Sequence, residues 1–282
     1  MLVFGELEHS SHILIGILFI EKFLTVNTLL KMSRPTTFLS YKRYLFLVFL
    51  FSLIVASCNS QKDAESVELD PIFDQYITEF YALNPMQATQ NGIHDYNDRL
   101  AITIGDKYIE KQLALNIKYL DKLNSIDKEL LSSDELLSVD LLTYKLETEN
   151  EQLNNKYGVN RPVDQFVFSF PQRFATVASG TSYIPFETEE DYRNFMSRME
   201  YFSQWVDQAI DNMKTGLELQ NTVPRASMIK VPAQLKPLYS TAPEESIFYR
   251  PLKDLPASID SVSAIQLTED YTQAISDILQ PA

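Results

Sequence analysis

Apolar side chains recur along this chain with the period of a helix rather than of a strand. Leu69, Phe73, Tyr76, Phe80 and Leu83 fall three and four positions apart, which places them on one side of a helix that Asn84-Pro85 ends. A second stripe runs through Ile109, Leu113, Ile117, Leu120 and Leu123, and a third through Leu137, Leu141, Tyr144 and Leu146 toward Leu153. Ser132 and Glu135 stand at capping-box spacing ahead of the third. The period returns from Glu187 to Leu219. Thr188 and Asp191 stand at its head, and Tyr192, Phe195, Met199, Phe202, Val206, Ile210, Met213 and Leu217 lie on one face. A last amphipathic segment covers Ile265 to Leu279. The pattern predicts an all-α domain, an irregular multi-helix array or bundle beginning near Leu69. No repeat of fixed period is visible, so a solenoid is not expected.

Two stretches break the pattern. Between Asn155 and Pro185, Gly158, Pro162, Pro171, Gly180 and Pro185 interrupt any long period. This predicts a long aromatic- and proline-containing excursion packed on the helices, and loops of that length are often functional. Phe166, Phe168 and Phe170 alternate as half-buried extended residues do, so core packing is the first reading of the aromatics here. The second is a groove for peptide or glycan, with Phe168, Arg173 and Tyr183 as the candidate contacts. Arg161 and Arg173 are the side chains there that could grip a carboxylate end, against ordinary surface or ion-pair roles. Farther on, Pro224 suits the first turn of a helix, and Pro232, Pro237, Pro243, Pro251 and Pro256 predict irregular backbone after it.

At the N-terminus, Lys42 and Arg43 precede an apolar run from Tyr44 to Ile54, followed by the small residues Ala56 and Ser57 and then Cys58. That order is the one found in secretory signal peptides. The tetrad Val55-Ala56-Ser57-Cys58 resembles a bacterial lipobox, which implies cleavage before Cys58 and acylation of its sulfur. The expected partner is membrane lipid, held through acylated Cys58. The run is shorter than the roughly 20 residues that an uncleaved spanning helix wants. A second apolar stretch, His12 to Leu30, lies ahead of the charged region, so residues 1 to 31 are expected to be an upstream extension and Met32 the start. As a transmembrane helix, that stretch would hold Glu21 and Lys22 near mid-bilayer, where charges are costly. Asn59 to Glu68 reads as a polar tether. The expected address is the cell envelope, with the outer membrane preferred because Asn59 stands where an aspartate is associated with inner-membrane retention.

Charge narrows the partners. The chain of 282 residues carries a formal net charge of -14, and residues 58 to 282 hold 19 basic and 35 acidic side chains. Such a protein repels nucleic acid and anionic headgroups, and no basic stripe reverses that. Glycines after the expected cleavage site, Gly92, Gly105, Gly158, Gly180 and Gly216, are too scattered to cradle a phosphate, so nucleotide binding is not expected. Cys58 is the only cysteine, which excludes an intrachain disulfide and a thiolate metal cluster.

Candidate chemistry is sparse. Of the histidines His9, His12 and His94, only His94 follows the cleavage site, whereas a catalytic zinc normally takes three protein ligands in which histidine is prominent. His94 reads as a turn residue after Gly92 with a hydrogen-bonded ring; with Asp95 it could orient as a base, but no nucleophile signature accompanies it. Ser179-Gly180-Thr181-Ser182 is not a Gly-x-Ser-x-Gly elbow. Glu187, Glu189, Glu190 and Asp191 read as a favourable first helical turn rather than a catalytic pair. The residues themselves therefore assign no catalytic group, no metal ligand and no cofactor.

Several stretches together resemble a bacterial family described as domain of unknown function 885. They are Phe80 to Thr89, Gly92 to Leu100, Leu136 to Leu142, Asp191-Tyr192 with Phe195 and Arg198, and Met213 to Gly216 followed by Pro224. The likeness runs from about Leu69 to the C-terminus. It implies an exported or lipid-anchored helical protein akin to zinc metallopeptidases whose helices wall a deep channel. The family's zinc motif, His-Glu-x-x-x-Gly-His or a relative, is expected in a C-terminal half that would follow Ala282, so no ligand or general base is carried over to a residue here. Zinc is expected only where the chain continues past Ala282. The resemblance thus implies a scaffold and one wall of a substrate channel, inactive alone; the alternative is a peptide- or glycan-binding, or purely structural, lipoprotein.

Overall fold

The computed structural model describes residues 68 to 282 except Tyr157 and residues 166 to 168. The signal peptide, the lipobox Val55-Ala56-Ser57-Cys58, the tether up to Val67, and both Phe166 and Phe168 lie outside the described residues. Among the described residues there are nine α-helices and no strand, as the periodicity predicts. None of their helices is long and apolar enough to cross a membrane.

The first helices form one layer. Helix α1 (Asp70–Leu83) has a proline in its first turn and stops at Asn84, after which α2 (Pro85–Gln90) starts afresh. Helix α3 (Asp106–Asn124) and helix α4 (Ser133–Asn155) pack on α1 around Tyr76, Leu115, Tyr119, Leu123, Val139 and Leu146. The capping box predicted for α4 is formed, with the Ser132 hydroxyl accepting from the Glu135 amide and the Glu135 carboxylate from the Ser132 amide. The buried face of α4, however, is not the predicted one. Leu137, Leu141 and Tyr144 are 58 %, 60 % and 70 % exposed, while Val139 and Leu146 are fully buried. A cap fixes where a helix starts but not how it is rotated, and α4 carries two apolar faces. Lys145 orients it. Its ammonium lies 4.8 Å from the Phe80 ring centre, donates to the Tyr76 hydroxyl and pairs with Glu149, which turns the Val139–Leu146 side inward. On α3, Ile117 is likewise exposed, because Gln112 and Asn116 occupy the buried positions.

The second layer is built on α6 (Glu189–Glu218), a 30-residue helix capped by the Thr188–Asp191 box. Helix α5 (Phe170–Val177) and helix α9 (Ser261–Ala274), which continues as a π-turn over Ile275–Leu279, pack against it. Phe174 stacks on Phe202 at 4.3 Å and on Phe195 at 5.5 Å. The apolar face of α6 is read correctly through Phe202, but Ile210 and Leu217 are exposed; toward its end the buried positions pass to Ala209, Asn212 and Gly216. The long excursion is shorter than expected because α5 lies inside it, with Pro171 in its first turn. The proline-rich stretch is also more regular than its prolines predict. After α7 (Arg225–Met228), for which Pro224 serves as N-cap, comes α8 (Val231–Tyr239), and the 3-10 helix Ile247–Asp254 follows. Pro232 sits where its missing N–H has no partner to lose, and Pro237 falls near the end of a nine-residue helix.

Candidate functional site

Where the two layers share the segment from Asn84 to Thr103, they leave a hollow of about 180 Å³. Its floor is apolar, from Pro85, Met86, Leu100, Phe170, Phe174 and Val177. Two of the three candidate contacts meet here: Arg173 and Tyr183 both line the hollow. Phe168, the third, lies outside the described residues. Arg161 is not brought to them; it lines a separate hollow with Asn160, Met213, Leu217 and Arg225.

Local sequence explains how Arg173 and Tyr183 come together. Arg173 follows Pro171 on α5, exposed, while Phe174 beside it anchors the helix in the aromatic core. The chain then reverses at Gly180, whose φ of +74 favours glycine, and a Cβ there would stand 3.3 Å from Pro251 Cγ. Ser179 tightens the turn, its hydroxyl donating to the Thr176 carbonyl at 2.7 Å and bonding the Thr181 hydroxyl. The serine is thus a turn residue. Tyr183, half-buried, returns to the hollow with its hydroxyl held protonated above its ordinary range by burial, an effect that the charges of Arg173 and Arg198 oppose.

Arg198 is the residue beneath this site that sequence reasoning placed only within a family likeness and assigned no role. It interrupts the apolar face of α6 between Phe195 and Met199 and is 1 % exposed. Its guanidinium donates to the Arg99 carbonyl at 3.0 Å, the Tyr96 carbonyl at 3.3 Å and the Thr89 hydroxyl at 2.6 Å. Among the described residues no carboxylate forms an ion pair with it. Burial lowers its pKa to about 10, still far above neutrality, so a cation stays buried among neutral oxygens. Those oxygens belong to the segment that leads into Leu100, so Arg198 fixes the floor of the hollow from below. The signal was a lone arginine on an otherwise apolar stripe.

The remaining polar candidates do not converge. His94 is exposed in the turn after Gly92, and its Nδ1 lies 3.2 Å from the Asn97 amide nitrogen. Among the described residues no three of His, Cys, Asp and Glu come together as a metal site would require. Thr188 and Asp191 are occupied in capping α6, and Glu189 in its first turn is paired with Arg193 at 2.7 Å.

A family model described as "Bacterial protein of unknown function (DUF885)" matches residues 85–282. No curated protein and no solved structure matches the chain.

Proposed function

The chain belongs to the DUF885 family, and from that premise we propose that it is an exported, lipid-anchored scaffold presenting the Arg173–Tyr183 hollow as a binding site for the carboxylate end of a peptide. The observation that carries this reading is the convergence of an exposed guanidinium and a protonated phenol over an apolar floor. A guanidinium fork and a hydroxyl donor match a terminal carboxylate, and an apolar recess of this size takes the last side chain. The buried charge of Arg198 adds to the positive potential. Anchoring rests on the lipobox ending at Cys58, and the envelope address, with the outer membrane preferred, rests on Asn59 after it. The described residues do not fit a zinc centre, because His94 stands alone in an exposed turn and no donor set surrounds it. The chemistry supported here is recognition, one wall of a substrate channel.

The test titrates the full chain in detergent with a fluorescent peptide ending in leucine, as the free acid and as the C-terminal amide. The acid should bind about tenfold or more tightly, the worth of a charge-assisted bond. Arg173→Ala should bring the acid down to the amide and leave the amide unchanged. Equal binding of acid and amide by the unaltered chain refutes the site. The anchor is checked separately, by labelling cells with a fatty acid: label should enter the protein and be lost in Cys58→Ser.

A further inference from the structure

The hollow at Arg173 is not isolated. A larger one, of about 580 Å³, adjoins it, and both are bounded by Pro85, Leu100 and Ala101. The larger hollow is lined by Arg99, Lys107 and Lys111, and its one acid, Asp106, is already paired with Lys156 at 2.6 Å. Arg99 keeps Asp98 at 3.4 Å, but among the described residues neither Lys107 nor Lys111 forms an ion pair. Lysines four positions apart project from the same side of α3. Lys107 lies in the first turn and Lys111 in the second turn of that 19-residue helix, whose N-cap is Gly105 and which receives no side-chain cap. Unpaired ammonium groups and an uncapped helix start thus face one groove. In a chain with a net charge of -14, a groove in which Asp106 and Arg99 are each paired and Arg173, Lys107 and Lys111 are in no ion pair among the described residues is a local inversion of sign.

We propose that the two hollows form one continuous binding groove whose ligand is an acidic peptide: an apolar C-terminal residue in the Arg173 hollow, preceded by aspartate or glutamate side chains that lie along Lys107 and Lys111. This rests on the carboxylate-end reading above and goes beyond it by naming the ligand's sequence character. A peptide suits the groove better than an anionic glycan because the smaller hollow is lined mostly by apolar side chains, Phe170, Phe174 and Val177 among them, which a sugar acid would leave unfilled. The net negative charge of the chain disfavours the same ligand over most of the remaining surface and so favours the groove.

The experiment uses the full chain and three peptides that share a C-terminal leucine with a free carboxylate, differing in whether the preceding residues are glutamate, glutamine or lysine. The glutamate peptide should bind about three- to tenfold more tightly than the glutamine peptide, as two exposed ion pairs allow, and the lysine peptide most weakly. The preference should shrink as salt is added. Because both lysines are exposed, Lys107→Gln with Lys111→Gln should fold normally and bring the glutamate peptide to the level of the glutamine peptide. Equal binding of the glutamate and glutamine peptides, with the acid-over-amide preference intact, overturns the acidic-peptide proposal and leaves the end-capture site standing. Equal binding of the free acid and the amide, with the glutamate preference intact, does the reverse. Tighter binding of an acidic oligosaccharide, lost in the same double variant, overturns the peptide in favour of a glycan.

Discussion

Two regions of this molecule bury polar groups in opposite ways. In the α1–α3–α4 layer one set of them forms a chain in which each member is answered by another, while Thr143 Oγ1 and Asn150 Oδ1 on α4 are buried outside it without a hydrogen-bond partner. The Tyr108 hydroxyl donates to Asn84, Asn84 to Gln112, Gln112 to Asn116 and Asn116 to Glu149, where Lys145 closes the row with a charge and reaches Tyr76. Under α6, Arg198 holds its charge among two carbonyls and a hydroxyl, with no acid paired to it. The first arrangement is closed, and its free energy goes into the register of three helices. The second leaves a positive potential beneath a hollow whose mouth carries another arginine. A buried network that satisfies itself has little left for a ligand, whereas a buried cation answered only by neutral oxygens and the more distant charge of Asp98 still attracts an anion bound above it.

The largest effect should follow from removing that cation. Arg198→Ala leaves the Arg99 carbonyl without its donor, leaves the Tyr96 carbonyl with only the Arg99 amide, and empties the space of a fully buried side chain, a loss of about 3–5 kcal/mol in urea denaturation. In the closed network, Gln112→Leu preserves volume but strands the Asn84 donor and the Asn116 acceptor, at about 1–3 kcal/mol. A smaller loss for Arg198→Ala than for Gln112→Leu would break the comparison, since Arg198 would then not be what organises the segment from Tyr96 to Leu100.

The sequence made the helices readable and the faces only partly so. Capping boxes at Ser132 and Thr188, the break at Asn84-Pro85 and the aromatic spacing from Tyr192 to Phe202 each have a local cause, and each is found. What local pattern does not carry is which side of a helix meets its neighbour when two sides are apolar, or when buried positions are polar. Gln112 and Asn116 on α3 are buried through partners 28 and 33 residues away along the chain. The same holds at the site. Arg173 and Tyr183 were legible as residues of the aromatic-rich stretch with binding chemistry, but no local motif singles out Lys107 and Lys111. Arg198 joins residues 99 and 109 positions upstream, a contact that no window of sequence contains.

The smallest expected effect tests that rotation of α4 directly. Leu137, Leu141 and Tyr144 follow helical spacing as well as any core stripe does, yet they face outward, and Val139 and Leu146 are the residues fully enclosed. Leu141→Gln should therefore change stability by no more than about 0.5 kcal/mol, the range of ordinary surface substitutions. Leu146→Ala, one helical turn and a face away, should cost about 2–5 kcal/mol, because the methyl groups it removes are enclosed on every side. If Leu141→Gln proved as damaging as Leu146→Ala, the outward stripe would be covered in the protein and the Lys145 seam would not be what sets the helix's rotation. Near-neutrality at Leu141 together with a large loss at Leu146 would establish the rotation in which the buried face of α4 is the one that carries Lys145 over the Tyr76 and Phe80 rings, although both faces supply apolar surface.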